Sequence, residues 1–155
     1  MRPQLALTGF SILVWGVSGC GSDPVSSGRD PCPACVTISS DAGPGSLRDP
    51  VAISGATIWQ DALSLNVTYS GGCREHDFGT IAAPEFELLP GVASRVYLRH
   101  DARGDPCERL VSATLEFDLT PLRQLYLATY GVPGGLTLLV VAPEGAAVPV
   151  AYDLR

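Results

Sequence analysis

Two short blocks of this chain hold the residues that could do chemistry. The first is Gly71-Gly72-Cys73-Arg74-Glu75-His76-Asp77-Phe78. The second is His100-Asp101-Ala102-Arg103-Gly104-Asp105-Pro106-Cys107-Glu108. Together they contain both histidines of the chain, two of its five cysteines and several acids. Cys73, His76, His100 and Cys107 supply the two-thiolate, two-imidazole set that tetrahedral zinc favours, and Cys73-x-x-His76 has compact ligand spacing. If the two cysteines are oxidised, that set is lost. His76 and His100, with Asp77, Asp101 or Asp105, then remain as ligands for zinc or copper. Calcium at Asp101 to Asp105 is a weaker reading, because the spacing does not match an EF-hand loop. The structural alternative is that Cys73 and Cys107 tie two strand ends together. His76, on the face of Phe78, and His100, on the face of Val96 and Leu98, would then be half-buried and hydrogen-bonded.

Catalysis has less support. Cys73 with His76 or His100 could pair a nucleophile with a base, but no serine sits in a nucleophile-elbow pattern. Glu85 and Glu87 alternate with apolar residues and read as a solvated strand face. The expectation is a protein that is not an enzyme.

The elements that must position these blocks are strands. Leu63, Leu65, Val67 and Tyr69 alternate with Ser64, Asn66 and Thr68, and Val111 to Leu119 alternates in the same way. Shorter alternations occur around Phe86 and Leu88, from Arg95 to His100, and from Val148 to Leu154, where Pro149 points to a sheet edge. Val51 to Trp59 reads as a strand kinked at Gly55. Leu136 to Ala142 is a continuous apolar run, as in a central strand. One helix is expected, with Thr120 as N-cap, Pro121 in its first turn and Gly131 at its end. Seven to eight short strands with regular turns and one short helix predict an all-β protein. The expected architecture is an antiparallel β-sandwich, immunoglobulin-like, over residues 35–155; a small barrel is the alternative.

The N-terminus supplies an address. Leu5 to Val17 is an uncharged apolar run after Arg2, shorter than the roughly 20 residues a membrane-spanning helix needs. It ends in Val17-Ser18-Gly19-Cys20. This stretch resembles the lipobox of bacterial lipoproteins. The resemblance covers residues 1–20. It implies a signal peptide over 1–19, removed in processing, and a diacylglyceryl thioether on Cys20, usually with an N-acyl chain. More than one acyl chain is what stable membrane anchoring requires. Gly21 rather than Asp follows the cysteine, which by the same resemblance favours the outer membrane, on its periplasmic face or surface, over the inner membrane. Residues 20–34 are rich in Gly, Ser, Pro and Asp and read as the lipidated N-terminus and a flexible tether. The Gly-Gly-Cys-x-x-His-x-Phe block after a strand is similar to one in uncharacterised β-sandwich lipoproteins, a resemblance that carries no activity with it.

Cysteine usage fits an exported protein. Setting aside Cys20 leaves Cys32, Cys35, Cys73 and Cys107, and four cysteines allow three pairings. The favoured one is Cys73–Cys107 with Cys32–Cys35. A redox role for Cys32-x-x-Cys35 is disfavoured, because such motifs open a helix and prolines flank Cys32 here.

Charge excludes some partners. The 155 residues carry 16 acids against 10 basic residues, all of them Arg, for a formal net charge of −6. An acidic chain without a basic patch is not built to neutralise phosphates, so nucleic acid is not expected as a partner. The membrane, through the lipid anchor, and an envelope protein or other envelope component are. The expected function is a lipid-anchored cell-envelope protein with a non-enzymatic binding or structural role. The alternative is a periplasmic zinc- or copper-binding lipoprotein using His76 and His100.

Overall fold

A computed structural model describes Cys32 and residues 34–155. The expected signal peptide, Cys20 and nearly all of the expected tether lie outside the described residues. Nine strands and one α-helix follow in chain order: β1 (Thr37–Ile38), β2 (Ala52–Trp59), β3 (Ala62–Gly71), β4 (Asp77–Ala82), β5 (Glu87–Leu89), β6 (Gly91–Asp101), β7 (Arg109–Asp118), α1 (Thr120–Tyr130), β8 (Gly135–Val141) and β9 (Val148–Asp153). They form an all-β sandwich. One sheet has the order β2-β3-β7; the other has β1-β4-β6-β8-β9, with β5 also paired to β6.

Period-two alternation decides which side chains meet between the sheets. Leu63, Leu65 and Val67 of β3 face Val96 and Leu98 of β6 and Leu138 and Val140 of β8 in one core, with Phe117, Leu119 and Tyr152. Most of these are fully buried, and each such aliphatic side chain contributes roughly 1.5–3 kcal/mol of transfer free energy.

The pairing differs from the antiparallel expectation in two places. β6 runs parallel to β8, and β1 runs parallel to β4. The first follows from α1, because a parallel neighbour needs a crossover connection. β7 leaves for the other sheet, and the helix returns the chain to run alongside β6. The helix packs Leu122 and Tyr126 into the core. Thr120 lies inside it rather than capping it. The Thr120 N–H and hydroxyl both donate to Asp118 Oδ1, at 2.8 and 2.6 Å, so Asp118 serves the helix start. Gly131 ends the helix in the left-handed conformation, its N–H donating to the Leu127 carbonyl.

The kink expected at Gly55 is a register shift between Ile53 and Gly55. β9 is a sheet edge, as Pro149 indicates. β1 and β4 were not evident in the sequence: β1 has only two residues, and β4 begins in the block read for its chemistry.

Candidate functional site

The two Cys/His blocks meet at one end of the sandwich. The β3–β4 connection carries Gly72 to His76. The β6–β7 connection carries Ala102 to Glu108. Phe78 on β4 pairs directly with His100 on β6, and the two rings stack with centroids 4.6 Å apart and planes 4° from parallel. Tyr69 of β3 closes over both histidines, at 4.8 Å from His76 and 5.2 Å from His100. The aromatic packing keeps solvent off the imidazoles: His100 is 1% exposed.

A continuous hydrogen-bond chain runs through this cluster. Asp105 lies at one end. His76 Nε2 is 3.1 Å from Asp105 Oδ2, and His76 Nδ1 is 2.8 Å from His100 Nε2. His100 Nδ1 is 3.0 Å from the Pro50 carbonyl and 3.3 Å from that of Asp49. Both ends of the chain are acceptors, a carboxylate and backbone carbonyls. His76 Nε2 and His100 Nδ1 must therefore both carry hydrogen, and one more is needed between the rings. All links are made only when the pair of imidazoles holds three N–H hydrogens; with two, one link sets lone pair against lone pair.

Asp105 is the hub. Its Oδ2 accepts the backbone N–H groups of Gly72, Cys73 and Arg74 at 2.9, 2.9 and 3.0 Å, besides His76. Its Oδ1 accepts that of Cys107 at 2.9 Å. The Cys107 N–H, seconded by those of Cys73 and Arg74 and by His76, holds this carboxyl far below the usual carboxylate range, against the opposing effect of burial. Successive backbone N–H groups form an anion-binding concavity, and here the protein's own carboxylate fills it.

Cys73 and Cys107 form a disulfide, as do Cys32 and Cys35. This removes the Cys73–His76–His100–Cys107 zinc set, since a disulfide sulfur is not a thiolate ligand. The histidine nitrogens are engaged as well. Zinc–nitrogen bonds of about 2.0–2.1 Å in tetrahedral geometry hold two ligand nitrogens roughly 3.3 Å apart. The facing nitrogens lie at 2.8 Å, and the outer ones are within hydrogen-bond distance of Asp105 and the Pro50 carbonyl. The proposed acidic partners are engaged too. Asp77 pairs with Arg103, Asp101 pairs with Arg48, and Asp105 turns inward. Asp101 and Asp105 thus face different groups.

Cys32-x-x-Cys35 opens no helix. The Cys35 N–H donates back to Cys32, and Cys35 bridges Asp118 at the end of β7. A cleft of about 230 Å³ borders His100, lined also by Arg48, Asp77, Phe78, Gly79, Arg99 and Asp101. The His100 nitrogens are both engaged within the hydrogen-bond chain.

Sequence reasoning passed over a second polar cluster. The buried Tyr152 hydroxyl donates to Asp61 Oδ1 at 2.5 Å, and Asp61 Oδ2 lies 3.3 Å from Arg123. Burial, with the Asp61 carboxylate beside it, pushes the phenol well above its ordinary range. Tyr152 was read only as a position in the strand from Val148 to Leu154, and no local spacing links positions so far apart.

Among the described residues, no helix is long and apolar enough to cross a membrane. No protein-family model matches the chain, and no curated protein is similar to it in sequence. Its fold is similar to solved structures. A NigD-like immunity protein from Bacteroides caccae superposes with a TM-score of 0.54 at 20% identity, over 77% of this chain and 63% of that one. A candidate lipoprotein from Bacteroides fragilis gives 0.51 at 11% identity, over 79% and 70%. A candidate toxin-related protein from Parabacteroides distasonis gives 0.50 at 20% identity, over 77% and 62%. This chain therefore spans just under two thirds of the first and third of these proteins. At these identities the likeness is one of fold.

Proposed function

We propose that this chain is a lipid-anchored protein of the bacterial cell envelope, whose sandwich binds a protein or other envelope component, or plays a structural part, without catalysing a reaction. The His76–His100–Asp105 chain carries this proposal. Every nitrogen of both imidazoles and both oxygens of the carboxylate are taken by partners within the protein. The groups best suited to acid–base work thus brace the fold. The lipobox-like Val17-Ser18-Gly19-Cys20 and the two disulfides support an exported, anchored protein. Gly21 after the cysteine supports outer-membrane delivery. The fold it shares with an immunity protein and a candidate lipoprotein is in keeping with a binding role.

Two experiments test it. Labelling with an alkyne-bearing fatty acid should tag the wild-type chain in the membrane fraction, and Cys20→Ser should leave unlabelled, unprocessed precursor. Equal processing of both forms would remove the lipid anchor. Turnover of any substrate in a broad hydrolase panel, lost on His76→Ala while the variant stays folded, would remove the non-enzymatic reading.

A further inference from the structure

Val96 and Leu98 of β6 turn into the core, so Tyr97 and Arg99 lie on the opposite face of the larger sheet. Directly paired residues of β4 and β6 share that face in three rows: Asp77 with Asp101, Gly79 with Arg99, and Ile81 with Tyr97. The acids of the first row are engaged. Arg103 pairs with Asp77, and Arg48 pairs with Asp101 at 3.1 Å. Arg99 is exposed, and among the described residues no carboxylate lies within ion-pair distance of it. Arg48 and Arg99 together line two clefts. One is the 230 Å³ cleft beside His100; the other, of about 430 Å³, also holds Ser39, Ser46 and Ile81. Between them these two cations have one carboxylate partner, in a chain whose net charge is −6.

Gly79, in the first cleft, is a second and independent sign of a ligand. It lies inside β4, where glycine weakens a strand. Its φ is not in the left-handed region, so the backbone does not demand glycine. Packing does not demand it either. Among the described residues, no atom beyond its chain neighbours lies within 4 Å of where a β-carbon would stand. A glycine inside a strand often marks a place where another group approaches the backbone, and this one is directly opposite Arg99. The chemistry of that group follows from its neighbours. A guanidinium presents paired N–H donors that match a carboxylate or a phosphate. Asp77 and Asp101, about 7 Å away along the strands, weigh against a doubly charged group. Phe78 also lines the cleft and suits an apolar body, and the volume suits a small molecule.

We infer that this cleft binds a small organic monocarboxylate, with its carboxylate on Arg99, Arg48 beside it and its body over Gly79. The inference does not rest on the lipid anchor. Benzoate is the probe, titrated into the 15N-labelled full chain in a non-ionic detergent and followed at the Gly79 amide and the Arg99 side chain. Saturable shifts with a Kd of about 1 mM or tighter are expected. Benzamide, the same shape without the charge, and inorganic phosphate should each bind about tenfold more weakly or worse. Arg99→Gln should raise the Kd for benzoate about tenfold or more. Gly79→Val should abolish saturation, because valine suits a strand but fills the floor of the cleft; an otherwise unchanged spectrum shows that the variant is folded. Shifts that do not saturate by about 50 mM benzoate would overturn the inference. So would phosphate or benzamide binding as tightly as benzoate, or a folded Arg99→Gln or Gly79→Val chain that binds benzoate as the wild type does.

Discussion

The imidazole of His76 rests on Gly71. A β-carbon at Gly71 would lie 2.5 Å from His76 Cε1 and 2.6 Å from Nε2. The glycine that closes β3 is thus the floor under the first ring of the hydrogen-bond chain. Gly71→Ala must push that ring away from Asp105 or bend the strand. The expected cost is about 1–3 kcal/mol, as for overpacking elsewhere, read from the urea midpoint. A change within experimental error would show that the ring has room to move.

His76→Ala strands a buried nitrogen of His100 and withdraws one donor from Asp105. Leaving buried polar groups unpaired costs about 1–3 kcal/mol each, so the variant should lose stability in that range without losing its fold. The 15N spectrum of the wild-type imidazoles offers a direct check. It should show a hydrogen shared between His76 Nδ1 and His100 Nε2.

Asp105 sets an acid limit. Its carboxyl is held below the ordinary range in the folded protein, so its contribution to stability is complete above the pKa of the unfolded chain, about 4. That contribution fades as pH falls below this value, because the unfolded state then binds the proton first. Denaturant midpoints measured from neutral to strongly acid pH should fall in this window. Asp105→Asn should start from a lower midpoint and show a shallower slope. Equal slopes would assign acid sensitivity to other carboxylates.

Tyr152→Phe removes the hydroxyl that meets Asp61 and leaves the ring in the core. Losing a hydrogen bond to a charged acceptor costs about 1.5–3 kcal/mol. In the wild type the phenol should ionise only at strongly alkaline pH, since its folded value is raised; ultraviolet titration reads this. Phenolate formation in the ordinary tyrosine range by all five tyrosines would contradict the buried pairing.

The Cys73–Cys107 bond links residues 34 positions apart. Replacing both with Ala should cost roughly 3–4 kcal/mol by chain-entropy reasoning. Stability equal to that of the wild type would mean that the Asp105 hub alone holds the two loops.

Much of the fold was legible because alternation is a local signal. Leu63 to Tyr69 and Val111 to Leu119 announce two-sided strands, and Pro149 announces an edge. The parallel alignment of β6 and β8 was hidden, because alternation says nothing of strand direction. The site was half legible. Both blocks stood out by composition, and their cysteines are joined in the structure. Two readings were open there, a metal set and a disulfide with hydrogen-bonded histidines, and the fold has the geometry of the second. Two histidines with acids nearby look the same in sequence whether their nitrogens converge on an ion or on one another. Asp49 and Pro50, whose carbonyls end the chain at His100, gave no sign at all, since every residue has a carbonyl.

Asp105 also bears on how the chain matures. Its carboxylate accepts the backbone N–H of Cys73 on one oxygen and that of Cys107 on the other. Once the two loops close on this one side chain, their sulfurs are neighbours, while Cys32 and Cys35 are held together by a single tight turn. The two wrong pairings would have to break one of these local arrangements. Oxidative refolding should therefore reach the native pairing without a shuffling phase, and Asp105→Asn should introduce one.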